Sequence, residues 1–209
     1  YVGGFKNGVM HGQGEYYSDS GAKYSGEFQH GAIHGQGTFA YANGDKYVGG
    51  FDNGDYSGSG ELSYSNGDSY VGEFKNNKNH GHGTYTFFND GIPVSVEGKF
   101  AAGQFPGSGK STWKNGDVFT GTFHKEAPQI RMDTGDININ LKEGTMLYAN
   151  GDKYIGSFIG KGKDGQGAYY FANGDKYVGM FKNNKFNGSG SYSPLDGEVV
   201  DGIFKDNAL

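Results

Sequence analysis

The chain has 209 residues, including 41 glycines, with 16 % aromatic residues, no cysteine and a net charge of −5. So many aromatic residues exclude a disordered segment, and an acidic chain without a run of lysine or arginine argues against nucleic acid as a partner. The lack of cysteine excludes disulfides and thiolate metal sites, and no apolar stretch approaches the roughly 20 residues of a membrane helix.

A five-residue frame, Tyr-x-Gly-x-Phe, returns along the chain with a period of 23 residues. Copies of the frame start near residues 1, 24, 47, 70, 96, 119, 154 and 177, with a partial copy at residue 200. The third position is glycine and the fifth is phenylalanine in every copy. A fixed period of this size predicts a stacked array, in which each unit buries its apolar face against its neighbours. We therefore expect residues 1–209 to form one array domain.

Two short segments alternate with period two inside each unit, as residues 24–46 show. Tyr24, Gly26 and Phe28 share one face of the first segment, and Gly35 to Tyr41 alternate in the second. This alternation is typical of β-strands with one aromatic-glycine face and one polar face. The predicted fold class is all-β: an elongated, single twisted antiparallel sheet of repeated 23-residue β-hairpins, with about 17 strands and no significant helix.

Asn-Gly pairs such as Asn43-Gly44 join each unit to the next. They predict mirror-type hairpin turns, in which both residues have positive φ. The glycines of the frame leave bare backbone, and we expect aromatic rings from a neighbouring strand to cover it.

The period fails at two places. Between residues 83 and 98 one residue is inserted before Asp90-Gly91, and Val96 replaces the frame tyrosine. A longer insertion follows Phe123, at about residues 124–143. Its alternating apolar residues predict a hairpin that either docks a partner or only covers a poorly packed unit; the candidates are Ile130, Met132, Ile137, Ile139 and Leu141.

No pattern of catalytic or metal-binding residues emerges. His11, His34 and His80 fall at one repeat position, which favours hydrogen bonding in a loop over a metal site, since ligands must converge. The acids of the Asn-Gly-Asp clusters are better explained as turn residues than as calcium ligands. We expect no enzyme activity and no cofactor.

The unit Tyr-x-Gly-x-Phe-x-x-Gly-x-x-His-Gly-x-Gly, followed by a Gly-Asp turn, resembles the MORN repeat (membrane occupation and recognition nexus). The resemblance is strong for residues 1–91 and 144–193 and weak for 96–143. It implies an extended antiparallel sheet without activity of its own. It also implies an adaptor for protein partners in cytoskeletal or ciliary assemblies; members of the family sometimes dimerise end to end and have been proposed to bind phospholipids.

The sequence thus predicts a non-catalytic scaffold whose aromatic-glycine groove binds a protein partner, such as a peptide or helix. By resemblance the expected location is cytoplasmic and cytoskeleton-associated, for example a ciliary axoneme. The alternatives are a phospholipid-binding module and an accessory domain of an enzyme in a longer chain. The groove candidates are Tyr24, Phe28, Tyr47, Phe51, Tyr70, Phe74, Tyr154, Phe158, Tyr177 and Phe181.

Overall fold

A computed structural model of the protein describes residues 1–89, 92–105, 107–123 and 141–209, with backbone only at residues 89, 92 and 93. These residues form seventeen strands in one open antiparallel sheet and no helix, which confirms the predicted fold class. The strands are β1 Val2–Lys6, β2 Val9–Tyr17, β3 Lys23–Gln29, β4 Ala32–Ala40, β5 Lys46–Asp52, β6 Asp55–Ser63, β7 Ser69–Lys75, β8 Lys78–Asn89, β9 Ile92–Phe100, β10 Ser108–Trp113, β11 Val118–Phe123, β12 Leu141–Leu147, β13 Lys153–Ile159, β14 Gly162–Tyr170, β15 Lys176–Lys182, β16 Lys185–Ser193 and β17 Val200–Phe204.

The described chain divides into two compact units. The first contains residues 1–89 and 97–105, and the second contains residues 92–96, 107–123 and 141–209. In the first unit each strand from β1 to β8 pairs antiparallel with the next. In the second unit β10 to β17 pair in the same way. Each repeat therefore contributes one hairpin and a tight connection to the next.

Mirror-type turns occur inside the repeats, not between them. His30 and Gly31, which join β3 to β4, have φ of 52° and 85°, and Asn53 and Gly54 have 50° and 90°. Both residues of each pair adopt positive φ, as this two-residue turn requires.

The prediction of the same turn at Asn43-Gly44 is wrong, because only Gly44 of that pair has positive φ, at 93°. The Gly44 N–H donates to the Tyr41 carbonyl (3.1 Å), and the Tyr41 N–H donates to the Asp45 carbonyl (2.9 Å). This is a three-residue connection with a type I turn and one left-handed glycine. The dipeptide does not reveal this difference, and neither does the residue after the glycine, since an aspartate also follows Asn53-Gly54.

A bulge interrupts the hairpin of each regular repeat. Gly26 pairs with Gly37, but Phe28 pairs with Ile33, so one residue of β3 faces three residues of β4. The same irregularity recurs between β5 and β6, β13 and β14, and β15 and β16. Glu27 lies at the bulge, and its carboxylate accepts the Gln36 N–H at 2.9 Å. The bulge thus frees backbone groups that side chains then satisfy.

The frame tyrosine covers the frame glycine of its own strand and the glycine paired with it. A Cβ added at Gly26 would lie 2.5 Å from the Tyr24 hydroxyl oxygen and 2.6 Å from the Gly37 Cα. The Tyr24 hydroxyl donates to the Glu27 carbonyl at 2.9 Å. Seating of rings on glycine is therefore confirmed, but the expected origin in a neighbouring strand is wrong. The bulge explains the difference, since it frees a carbonyl three residues after the tyrosine.

Tyrosine and phenylalanine rings alternate edge to face along each unit. The Tyr24 ring meets Phe28 of its own repeat and Phe51 of the next, each at 5.1 Å between centroids. Tyr154 meets Phe158 at 5.0 Å and Phe181 at 4.9 Å in the same manner. These T-shaped contacts suit the quadrupoles of the rings. We call this packed row the aromatic ladder; it comprises Tyr1, Phe28, Tyr24, Phe51, Tyr47, Phe74, Tyr70 and Phe100 in the first unit, and Phe119, Phe158, Tyr154, Phe181, Tyr177 and Phe204 in the second.

Candidate partner-binding face

The ten side chains predicted to line an open groove form the core of the sheet. None of them is more than 4 % exposed, and Tyr24, Tyr47 and Tyr70 are 0 % exposed. The expectation of an uncovered aromatic face is therefore wrong at these positions. The reason is that the ladder rings cover one another and that a further layer of side chains lies over them. A binding role for Tyr24, Phe28, Tyr47, Phe51, Tyr70, Phe74, Tyr154, Phe158, Tyr177 and Phe181 stays an untested prediction.

Most of the insertion candidates are not among the residues that the structure describes. Ile130, Met132, Ile137 and Ile139 lie outside the described residues. Leu141 begins β12 and is 0 % exposed, so its side chain belongs to the core of the second unit. Its N–H donates to the Gly160 carbonyl at 2.8 Å.

The layer above the ladder comes from one repeat position that the sequence analysis did not single out. Tyr56 stacks on Tyr47 with 3.6 Å between ring centroids and 12° between planes. Phe186 stacks on Tyr177 in the same way, at 3.8 Å and 10°. The signal in the sequence was a mostly bulky side chain nine residues after the first residue of the frame. Among the described residues this position holds Met10, Ile33, Tyr56, Asn79, Phe105, Lys163, Phe186 and Leu209.

In the first unit the second layer continues into the turns between repeats. The Tyr41 and Tyr56 hydroxyls share a short hydrogen bond, and Tyr41 is 40 % exposed. The Tyr64 ring lies 6.2 Å from that of Tyr85. Burial is the main cause that raises the pKa of Tyr56, Tyr64 and Tyr85 above the usual tyrosine value. These tyrosines are neutral hydrogen-bonding groups over the whole physiological range.

In the second unit the same layer surrounds a hollow of about 610 Å³. Phe171 is central to its wall, with centroids 4.8 Å from Tyr169, 6.3 Å from Phe186 and 6.2 Å from Tyr192. Lys163 is the one residue of the lining with a formal charge. The volume and the mainly aromatic lining are typical of sites that bind apolar groups. We call this the Phe171 hollow.

A second hollow of about 710 Å³ lies beside it in the same unit. Trp113, Met146 and Tyr148 give it apolar surface, and Lys114, Lys161 and Asp117 give it charge. Burial raises the pKa of Tyr148 to about 12, with a smaller contribution from the charges of Asp117 and Asp152. We call this the Trp113 hollow.

Lys163 stands between the two hollows. Its ammonium donates to the Tyr148 hydroxyl at 3.2 Å and lies 5.1 Å from the Tyr148 ring centroid and 5.0 Å from that of Tyr169. Desolvation lowers its pKa below the usual lysine value, and the charge of Asp152 partly offsets this effect. Within the described residues no carboxylate oxygen lies within 4 Å of the Lys163 ammonium. A partly buried cation is thus held mainly by rings.

The carboxylates of the Asn-Gly-Asp turns bind backbone of the following turn. Asp152 accepts the Ala172 N–H at 2.8 Å and the Tyr169 hydroxyl at 2.6 Å. Asp175 accepts the Leu195 N–H at 2.9 Å and the Tyr192 hydroxyl at 2.6 Å. The hydrogen bond from the Tyr192 hydroxyl is the main cause that lowers the Asp175 pKa. These acids join successive repeats, and in the part of the chain described here no cluster of acids, histidines or cysteines could hold a metal ion.

The repeat-locked histidines lie in strands at the bulges, so their predicted placement in loops is wrong. His11, His34 and His80 belong to β2, β4 and β8. The His80 carbonyl accepts the Tyr70 hydroxyl at 3.1 Å, and the His34 Nδ1 lies 3.6 Å from an Asp52 carboxylate oxygen. Their imidazoles occupy the same position in different repeats, at multiples of 23 residues, and do not meet at one metal site.

Comparison with models of protein families identifies MORN repeats at residues 1–23, 24–46, 47–69, 70–92, 97–118, 154–176 and 177–193. The repeats that the sequence predicts at residue 119 and residue 200 are not among these matches. The sequence matches no curated protein, and no helix of the described residues is long and apolar enough to cross a membrane. MORN repeats are generally non-catalytic and serve as scaffolds that bind proteins or membranes. The seven matches cover most of the chain, which therefore belongs to the MORN repeat family.

Proposed function

We propose that the chain is a non-catalytic scaffold that binds a protein partner across the second layer of the aromatic face. The observation that carries this proposal is the pair of aromatic-lined hollows, of about 610 and 710 Å³, in the second unit. Aromatic side chains around a concavity are the usual anchors of protein interfaces. The buried ladder beneath them supplies a rigid base, so little ordering is needed on binding.

The proposed setting is a cytoplasmic, cytoskeleton-associated assembly such as a ciliary axoneme. Its support is the family alone, in which such scaffolds are known. Neither hollow contributes to this part of the proposal, since both are compatible with any partner that offers apolar side chains.

A selection of random 16-residue peptides on the immobilised chain tests the binding role. Recovered peptides should cross-link to a protein with p-benzoylphenylalanine in place of Phe171, inside the hollow. The matched control carries the same group in place of Tyr170, whose ring faces Lys153 and Lys176 on the other face of the sheet. Cross-linking from position 171 alone supports the proposal. Recovery of no peptide, or equal cross-linking from both positions, would refute it.

A further inference from the structure

We infer that Lys163 selects the partner: the two hollows bind a protein segment that carries a carboxylate side chain between apolar side chains. This inference rests on the proposed function and adds the chemistry of the partner. Lys163 lines the Phe171 hollow, and the Tyr148 hydroxyl that it binds at 3.2 Å belongs to a ring that lines the Trp113 hollow. The Lys163 ammonium therefore lies between the apolar side chains of the two hollows, while Lys114 and Lys161 line the Trp113 hollow itself.

Within the described residues no carboxylate forms a direct ion pair with Lys163. Asp152 is the acid whose charge acts on it, but the Asp152 carboxylate already accepts the Tyr169 hydroxyl, the Ala172 N–H and the Asn150 amide. Among the described residues the ammonium makes one side-chain hydrogen bond, to the Tyr148 hydroxyl, although it has three donors. An incoming carboxylate would gain a charge-assisted hydrogen bond in a setting partly shielded from water.

Other repeats lack this group, which makes it a candidate for specificity. The equivalent described positions hold Met10, Ile33, Tyr56, Asn79, Phe105, Phe186 and Leu209, none of which has a charged side chain. In two of them a ring lies flat on the ladder tyrosine, whereas the Lys163 ammonium lies 5.9 Å from the Tyr154 ring centroid. A lysine at this position lacks the ring stacking that a phenylalanine would supply. A hydrogen bond between the lysine and a ligand carboxylate would offset that loss of stabilisation.

Spacing sets the length of the expected segment. Lys163 on β14 and Phe186 on β16 occupy the same repeat position two strands apart. Strands are about 4.8 Å apart, so these two anchor points are separated by roughly 10 Å. That distance corresponds to about three residues of an extended chain or about seven residues of a helix. An apolar side chain should lie at one of these spacings from the acid.

The test uses peptides recovered from the same selection, with affinities measured by fluorescence anisotropy. Aspartate or glutamate should be enriched between apolar residues. Lys163→Gln should lower affinity about tenfold or more, as expected for a hydrogen bond between charged groups. Changing the peptide acid to its amide should have the same effect, and the two changes together should cost little more than either. Lys176→Gln, on the opposite face beside Tyr170, is the matched control and should leave affinity unchanged.

Two further measurements separate the charge of Lys163 from an effect of the substitution on folding. Lys163→Arg should retain binding, and circular dichroism of Lys163→Gln checks that its fold is intact. Recovered peptides without an acid, or additive effects of the two changes, would overturn the role of Lys163 and leave the proposed function standing. Vesicles with phosphatidylserine that bind through Lys163 and displace the peptides would overturn it in favour of a lipid headgroup. Failure to recover any peptide would instead refute the proposed function itself.

Discussion

At the scale of single residues, the frame glycine and the frame tyrosine depend on each other. The glycine exists because a tyrosine ring occupies the place of a side chain, and the tyrosine hydroxyl reaches a carbonyl that the bulge has freed. Tyr47 and Tyr154 repeat the hydrogen bond of Tyr24, to the Gly50 and Ser157 carbonyls at 2.9 Å. Phe119 takes the tyrosine position without a hydroxyl, which shows that ring packing can hold the position alone.

Gly190→Ala tests the seat of a ladder ring. The added Cβ would lie 2.5 Å from the Tyr177 Cζ and 2.7 Å from its Cε2, so the ring must move. We expect a loss of about 1–3 kcal/mol in the free energy of unfolding, measured with urea. Gly107→Ala is the control, since no atom lies within 4 Å of its added Cβ. Equal stability of the two variants would contradict the seating of the ring.

Alkaline titration tests the burial of the ladder tyrosines. Burial raises the pKa of Tyr24, Tyr47 and Tyr70 to about 12, whereas tyrosine in the unfolded chain ionises near pH 10. The unfolded state therefore loses protons first, and stability is complete below pH 10 and falls between about pH 10 and 12. Ultraviolet absorbance should show these tyrosines ionising only as the strand signal in circular dichroism is lost. Their ionisation near pH 10 in the folded chain would contradict the core assignment.

At the scale of the hairpin, two connections of different geometry alternate. The period, the strand alternation and the number of strands were all predictable, because side chains alternate with period two and the repeat fixes the unit. The turn types were not, since Asn-Gly forms a mirror-type turn at Asn53-Gly54 and a three-residue connection at Asn43-Gly44. An aspartate follows the glycine in both, and what separates them is the strand pairing: Asp52 pairs with Asp55 around a two-residue turn. In the longer connection the Tyr41 N–H donates to the Asp45 carbonyl, and the Asp45 carboxylate accepts the Ser65 N–H at 2.8 Å.

Asn184 tests the mirror-type turn in the second unit. It has φ of 70°, and its side-chain oxygen accepts the Lys163 N–H at 2.7 Å. Asn184→Gly keeps the backbone conformation and loses the hydrogen bond, which should cost roughly 1 kcal/mol. Asn184→Ala loses the same hydrogen bond and also places a Cβ in the left-handed conformation. It should therefore lower the free energy of unfolding by about 1–2 kcal/mol more than Asn184→Gly does. Thermal or urea unfolding measures the two, and a less stable glycine variant would contradict the positive φ.

At the scale of the whole molecule, the proposed function assigns stability and binding to two different layers of the array. The ladder is the sheet's own core, and the side chains above it form the surface at which we propose that a partner binds. The sequence pointed to the aromatic face, and the ten residues that it singled out there are the buried ones. Tyr, Gly and Phe stand out in the sequence because the packing of the ladder requires nearly the same residue types in every repeat. The residue type of the second layer differs between repeats, for example Met10 and Phe186. Only the stacking of Tyr56 on Tyr47 and of Phe186 on Tyr177 reveals which positions cover the ladder.

The affinity of one selected peptide for two neighbouring alanine variants tests this division most directly. Phe171→Ala removes a wall of the hollow, and Tyr170→Ala removes a ring of similar size from the opposite face. The account predicts that Phe171→Ala weakens binding about tenfold or more, as loss of an aromatic anchor does. Tyr170→Ala should bind as the unchanged chain does. Equal affinity of the two variants would contradict the assignment of partner binding to the second layer.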